Sequence, residues 1–264
     1  MSISSSILPT RQEQLAAMCE FGNNTNARLP VLFLLDASSS MNGIVRGDNQ
    51  HILRQEYSDG INWNIVTGDN IVTRMDELNA GLQRFISEIL ADPLAKLAAD
   101  VAVITFARTV ATVKEFGPIR ESDTGLKIST SQENETLLGE AVELALAELD
   151  SRKRTYRAHG VEFYQPWVVV MTDGVPTSAR HRELEERLKE LSTSRKLSAF
   201  VFGIGRVDLS ELSSISPGRA PMQVNEQKFP ELFAWLSRSA RMVSMSVPGD
   251  GVSLTPLPED VWQV

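Results

Sequence analysis

Three short stretches of this sequence carry oxygen-bearing side chains where structural elements end or begin. The first is an Asp-x-Ser-x-Ser motif formed by Asp36, Ser38 and Ser40, directly after the apolar run at 31–35. In the second, Thr136 begins a leucine-rich segment, and in the third, Asp173 lies in a Thr-Asp-Gly motif after another apolar run. Carboxylates and hydroxyls are the hard oxygen donors that Mg²⁺ binds in octahedral geometry. Together these residues are candidate ligands for a divalent cation.

A parallel sheet would bring these stretches together. The runs 31–35 and 167–171 are continuously apolar, as expected for strands covered on both faces. In a doubly wound sheet the carboxyl ends of two such strands are neighbours at the switch point, so Asp36 and Asp173 should converge there. Thr136 is predicted to open the helix that leads into strand 167–171, which places it in a loop over the same edge.

Strands and helices alternate along most of the chain, which predicts a doubly wound α/β fold with helices on both faces of the sheet. One strand, at 109–116, follows strand 101–106 so closely that it must be antiparallel, at an edge. Further strands are predicted at 199–204 and 222–224. Helices are predicted from Ile71 to the Asp92-Pro93 stop and over 136–149, 179–193, 208–215 and 229–242.

The domain prediction is an N-terminal arm at 1–28, one domain at 29–245 and an irregular tail at 246–264. The arm includes a short helix over 14–20. Residues 41–70 are rich in Gly, Asn and Asp with little periodicity, and they are interpreted as a structureless insert beside the candidate site. The insert is either a tolerated surface insertion or a partner contact. Trp63 and Trp262 are candidates for that contact, although partial burial against the chain itself is the alternative; Trp167 and Trp235 are expected in the core.

Composition excludes several classes of function. The 264-residue chain has a net charge of −8, which argues against nucleic acid or an anionic membrane as the main partner. Cys19 is the single cysteine, so neither an internal disulfide nor a cysteine-based zinc site can form. No signal peptide or membrane-spanning stretch is recognised. A cytoplasmic protein is the expectation.

The three motifs, in this order and spacing, resemble a von Willebrand factor A domain with its metal-ion-dependent adhesion site. The resemblance covers about residues 29–245. It is closer to the TerY-like bacterial branch, which is associated with tellurium resistance and stress operons. The segments that carry it are 29–36, 103–106, 171–177 and 233–237.

The resemblance implies a protein-binding module rather than an enzyme. It assigns direct or water-mediated metal ligation to Ser38, Ser40 and Thr136, and metal or water contacts to Asp36 and Asp173. Mg²⁺ is the expected cation, with Mn²⁺ or Ca²⁺ as alternatives. An Asp or Glu of a partner protein would complete the coordination sphere, in a bacterial stress-response or defence assembly.

An enzyme is the rival interpretation. Asp36 could be the nucleophile of a phosphotransferase, but the haloacid dehalogenase pattern needs an aspartate where Ser38 stands. The sequence has no phosphate-binding glycine loop and no nucleophile elbow. Metal-assisted hydrolysis stays open, because a bound cation can activate water. His51, His159 and His181 lie in polar segments and are interpreted as surface residues.

Overall fold

The computed structural model describes residues 20–22, 24–58, 61–205, 207–258 and 261, without the side chains of 58 and 61–63. The strands are β1 (Leu29–Asp36), β2 (Ile44–Ser58), β3 (Ile61–Thr73), β4 (Ala99–Phe106), β5 (Val110–Pro118), β6 (Trp167–Thr172), β7 (Ser198–Ile204) and β8 (Met222–Val224). The helices are α1 (Arg74–Ala91), α2 (Pro93–Ala98), α3 (Leu138–Ala158), α4 (Arg180–Glu183), α5 (Glu185–Thr193) and α6 (Phe229–Ser244). Short 3-10 turns cover Ser39–Asn42, Glu121–Gly125 and Leu209–Ile215.

Six strands form the central sheet in the order β5-β4-β1-β6-β7-β8. All pairs are parallel except β4 with β5, so the predicted antiparallel edge strand is confirmed. Every residue of β1 is buried, because alternate side chains pack on opposite faces. Phe33 and Leu35 pack with α1 and α6, whereas Leu32 and Leu34 pack with α3. The predicted doubly wound α/β fold with helices on both faces is therefore confirmed.

The insert at 41–70 is not structureless, and that prediction is wrong. Strands β2 and β3 pair antiparallel from Ile44–Thr73 at the base to Ser58–Ile61 near the tip, forming a two-stranded ribbon with several register shifts. The error arose because neither face of the ribbon is buried in a core, so the sequence lacks the alternation of a half-buried strand. The Asp59-Gly60 dipeptide between the strands was the available hairpin signal.

Two helix boundaries also differ from prediction. Helix α1 begins at Arg74, with Thr73 as its N-cap in a capping box, and Ile71 belongs to β3. Helix α3 begins at Leu138, so Thr136 precedes the helix instead of opening it. The backbone N–H of Thr136 donates to the Thr177 hydroxyl at 3.1 Å, which binds this residue to another loop.

Helix α3 also continues past the predicted end at 149 to Ala158. The basic cluster at 152–154 therefore lies within the helix. Arg152 is held there by an ion pair with the buried Asp100, at 2.5 Å between Nη2 and Oδ2. The predicted helix 179–193 is divided into α4 and α5, and the predicted helix at 208–215 is a 3-10 turn.

The remaining predictions concern the tryptophans, the N-terminal arm and membrane-spanning segments. Trp167 and Trp235 are buried as expected, at 4% and 5% exposure. Nearly all of the segment at 14–20 that was predicted to be a short helix, together with Trp262 and the Trp63 side chain, lies outside the described residues. Among the described helices, none combines the length and apolarity needed to cross a lipid bilayer.

Candidate metal centre

Asp36 is the last residue of β1, and its side chain is fully buried where the strand leaves the sheet. Its Oδ1 accepts a hydrogen bond from the backbone N–H of Ser38 at 2.8 Å. Its Oδ2 accepts one from the hydroxyl of Thr172, the last residue of the neighbouring strand β6, at 2.6 Å. These two bonds fix the carboxylate at the switch between two central strands. Sequence reasoning noted Thr172 within its motif but gave it no role.

A row of contacting oxygens extends from Asp36 across the edge of the sheet. The hydroxyls of Ser38 and Ser40 lie 2.9 Å apart, and the Ser40 hydroxyl donates to Asp173 Oδ1 at 2.6 Å. In an octahedral Mg²⁺ site with ligands at about 2.1 Å, adjacent ligand oxygens lie roughly 3 Å apart. The spacing in this row is therefore close to that of neighbouring positions around a small hard cation.

Thr136 reaches the same place from the loop before α3. A Cβ atom added to Gly174 would lie 3.0 Å from Thr136 Oγ1 and 3.7 Å from Asp36 Oδ2, so both oxygens crowd one glycine. The Thr136 carbonyl also accepts a bond from the N–H of Thr177 at 3.1 Å. The absence of a side chain at Gly174 therefore leaves room for the threonine hydroxyl. All five residues predicted from sequence lie in this one cluster.

An arginine that sequence reasoning missed borders the cluster. Arg74 Nη1 donates to Asp173 Oδ2 at 2.8 Å, and Nη2 donates to Glu226 Oε1 at 2.8 Å. The Asp173 carboxyl is fully buried, and the Arg74 side chain is 24% exposed. Arg74 begins α1 directly after the ribbon, and its N–H donates to the Gly43 carbonyl at 2.9 Å. Without the ribbon in the prediction, nothing in the sequence indicated that this arginine would turn toward the site.

The electrostatics of the cluster favour a cation. Burial, and then repulsion from Asp173, raise the pKa of Asp36 from 3.8 to about 6. An ionised Asp36 is therefore unfavourable unless positive charge lies nearby. No group of three His, Cys, Asp or Glu side chains among the described residues could hold a metal alone. The hydroxyls are thus needed, and this hydroxyl-carboxylate set fits Mg²⁺ or another hard cation better than zinc.

The histidines lie outside the cluster's contacts. His51 and His159 are exposed, which confirms the sequence interpretation. His181 is 2% exposed, so its assignment to the surface is wrong. Its Nδ1 lies 2.8 Å from the Ser178 carbonyl, and its ring packs in the α4 turn. Since Gly139 approaches the His181 backbone closely, this residue has a packing role between α3 and α4.

The sequence model of the von Willebrand factor type A domain family matches residues 64–234, more than half of the chain. The chain belongs to this family. The matched segment begins inside β3, so β1 and its serine motif precede it. Most of the ribbon lies between that motif and the matched segment. No curated protein sequence matches this chain.

Solved structures of low sequence identity share the fold. BatB from Bacteroides thetaiotaomicron, described as a conserved hypothetical protein, is 16% identical with a TM-score of 0.54; the match covers 83% of this chain and 100% of BatB. The PilB minor pilin from Streptococcus sanguinis is 12% identical with a TM-score of 0.54, over 81% of this chain and 61% of the pilin. Proximal thread matrix protein 1 from the mussel byssus is 16% identical with a TM-score of 0.50, over 82% of this chain and 47% of that protein.

Proposed function

We propose that this protein is a divalent-cation-dependent protein-binding module. The observation that carries the proposal is the convergence of Asp36, Ser38, Ser40, Thr136 and Asp173 from three distant segments onto one edge of the sheet. Membership of the von Willebrand factor A family supports a role in interaction. Asp36, Asp173 and the three hydroxyls would hold the cation, which would offer a remaining coordination position to an external ligand.

The ligand set explains why that external ligand would be acidic. Three of the five proposed ligands are neutral hydroxyls, so the cation retains much of its attraction for a further anionic oxygen. Asp173 is already paired with Arg74, which reduces the negative charge available to the cation. A partner's Asp or Glu would supply the missing charge and complete the coordination.

The finer parts of the proposal follow from the sequence resemblance. We propose Mg²⁺ as the cation in the cell, with Mn²⁺ or Ca²⁺ as alternatives. A TerY-like role in a bacterial stress-response or defence assembly, including tellurium resistance, is proposed on the same basis. A cytoplasmic location agrees with the single cysteine.

Cation binding is tested by calorimetric titration of Mg²⁺ and Mn²⁺ into the wild type, Asp36→Ala and Thr136→Ala. Both substitutions should abolish the binding signal while the circular dichroism spectrum remains that of the folded chain. Ser39→Ala is the matched control, since Ser39 lies between the two proposed serine ligands and its hydroxyl faces Asn134 at 3.4 Å. A control that loses binding equally would contradict the assignment of the ligands.

Partner binding is tested by affinity capture from native extract in Mg²⁺ and in EDTA. A specific partner should be retained with Mg²⁺, released by EDTA and not captured by Asp36→Ala. Capture that is equally strong in EDTA would rule out the metal bridge. It would leave an interaction domain that does not use its cation site for binding.

One observation favours a metal-dependent hydrolase as the alternative. The pKa of Asp36 is raised to about 6 at a candidate cation site, and such perturbed carboxyls are also found in catalytic sites. An enzyme would hydrolyse p-nitrophenyl phosphate with multiple turnovers in Mg²⁺, and Asp36→Ala would abolish that turnover. Absence of turnover together with cation-dependent capture would support the binding module.

A further inference from the structure

A cavity of about 1160 Å³ lies at the amino-terminal ends of the parallel strands. The candidate metal centre lies at their carboxyl-terminal ends. Its walls come from the segments that precede β6, β7 and β8, from the end of α3, and from the tail at 249–257. Pockets that bind small molecules commonly measure about 300–1000 Å³, so this space is large enough for a metabolite-sized ligand.

The wall of this cavity is strongly cationic in an acidic protein. It contains five basic side chains and two carboxylates, although the whole chain has a net charge of −8. The basic residues are Lys153, Arg157, Arg195, Lys196 and Arg219. Among the described residues, none of the five forms an ion pair with a carboxylate. Asp150, one of the two acids, is itself 3.5 Å from Arg187.

Lys153 is the most buried of these cations, at 8% exposure. Its ammonium donates to the Lys196 carbonyl at 3.1 Å, and burial lowers its pKa. The Asp150 carboxylate opposes this shift, whereas the charges of Arg157 and Lys196 add to it, and the pKa remains lowered. Since burial is the largest cause and Asp150 does not offset it, the charged ammonium is costly here, and an anion bound beside it would lower that cost.

Arg195 adds a backbone observation. It has a φ of +53°, a left-handed conformation that glycine adopts freely and that costs other residues about 1 kcal/mol. The position follows the end of α5, where glycine is the usual residue. The chain instead places an arginine there, on the wall of the cavity.

Aromatic rings form the floor below these charges. Phe200 contacts Trp167 and Trp235 edge to face, with ring centroids 5.2 Å and 5.9 Å apart. The Arg219 guanidinium lies 4.3 Å from the Phe200 centroid. The three rings are only 1–5% exposed, so the flat face nearest to a ligand is the Arg219 guanidinium that packs on Phe200. A planar ring in an anionic molecule can stack on such a face.

We propose that this cavity binds a small organic anion that contains both a planar aromatic ring and a phosphate group. The basic side chains would receive the phosphate, and the aromatic floor would contact the ring. The site would be independent of the metal centre, because the two lie at opposite ends of the parallel strands. Adenosine monophosphate (AMP) is a suitable probe, with ribose 5-phosphate as the probe that lacks the planar aromatic ring and adenosine as the probe that lacks the charge.

Tryptophan fluorescence of the full chain in EDTA tests the proposal, because Trp167 and Trp235 line the cavity. AMP should change the emission saturably, with a dissociation constant at least tenfold lower than those of ribose 5-phosphate and adenosine. No saturable change up to 10 mM AMP would overturn the proposal. Equal affinity for AMP and ribose 5-phosphate would overturn the role of the aromatic floor, and equal affinity for adenosine would overturn the role of the cations.

Substitutions of residues in the cavity wall test whether AMP binds in this cavity. Arg219→Gln should weaken AMP binding about tenfold, or about 1.4 kcal/mol, and Lys153→Met should weaken it similarly. Arg154→Gln is the matched control, because this arginine neighbours Lys153 on α3 but does not line the cavity. Circular dichroism checks that each variant is folded. AMP binding that survives both cavity substitutions would place the ligand elsewhere and overturn the proposal.

Discussion

At the carboxyl edge of the sheet the polar side chains find partners within the protein, whereas at the amino edge none of the five basic side chains forms an ion pair with a carboxylate of the described residues. The first site is buried and its oxygens already contact one another. The second is wider, and it combines exposed basic groups with an aromatic floor. The candidate metal centre and the cationic cavity thus lie at opposite ends of the same parallel strands. The tight edge suits a small ion of fixed geometry, and the open edge suits a larger anion.

The largest expected effect concerns the carboxyl edge. Asp36→Asn keeps an oxygen that can accept the Ser38 N–H but removes the buried negative charge. Mg²⁺ affinity should fall at least about 100-fold, while the metal-free chain should become more stable by about 1–3 kcal/mol because the costly ionised carboxyl is gone. Calorimetry and urea unfolding in EDTA measure the two effects. The exposed ribbon variant Asp69→Asn is the control, and a Mg²⁺-induced rise in melting temperature in Asp36→Asn would contradict the assignment.

A smaller effect is expected from the arginine that limits the charge of this edge. Arg74→Gln removes the cation paired with Asp173, so Mg²⁺ affinity should rise by about three- to tenfold. Arg74→Lys retains the charge and should stay near the wild-type affinity, which separates electrostatics from loss of local order. Arg84→Gln, an exposed position on the same helix, should change nothing. Unchanged affinity in Arg74→Gln would show that the ion pair does not tune the site.

The smallest expected effect is a difference in the salt dependence of ligand affinity between the two edges. Raising NaCl from 50 mM to 500 mM screens exposed charges more than buried ones. AMP affinity should therefore fall about threefold more than Mg²⁺ affinity, as followed by fluorescence and calorimetry in the same buffers. Equal salt dependence at the two edges would mean that the cationic cavity is no more exposed in solution than the metal centre.

The convergence of the five candidate ligands was predictable because their signals are local and their elements are buried. Asp36 ends a continuous apolar run, and Asp173 follows another, so the rules of parallel sheets bring them together. Thr136 was placed at the right edge for a partly wrong reason, since it precedes α3 instead of capping it. Its position is set by hydrogen bonds to Thr177, which no local pattern reveals.

The remaining differences come from long-range contacts. The sequence did not reveal Arg74 and Glu226 as neighbours of the site, because they are far apart in the chain and meet only after the ribbon and the sheet have formed. His181 lies in a polar stretch, yet the fold buries it against Gly139. The cationic cavity likewise assembles from six separate segments, none of which carries a recognisable motif.

The two ends of the ribbon meet where it joins the domain. Ile44 pairs with Thr73, and the Arg74 N–H donates to the Gly43 carbonyl at 2.9 Å. The chain therefore leaves the domain and returns at a single point, so the intervening residues form an exchangeable appendage. Beyond the base, where Arg46 pairs with Glu77 of α1 at 2.8 Å, a change in the length of the ribbon need not move the end of β1 or the first turn of α1. The same junction offers protein engineers a grafting point a few residues from Ser40.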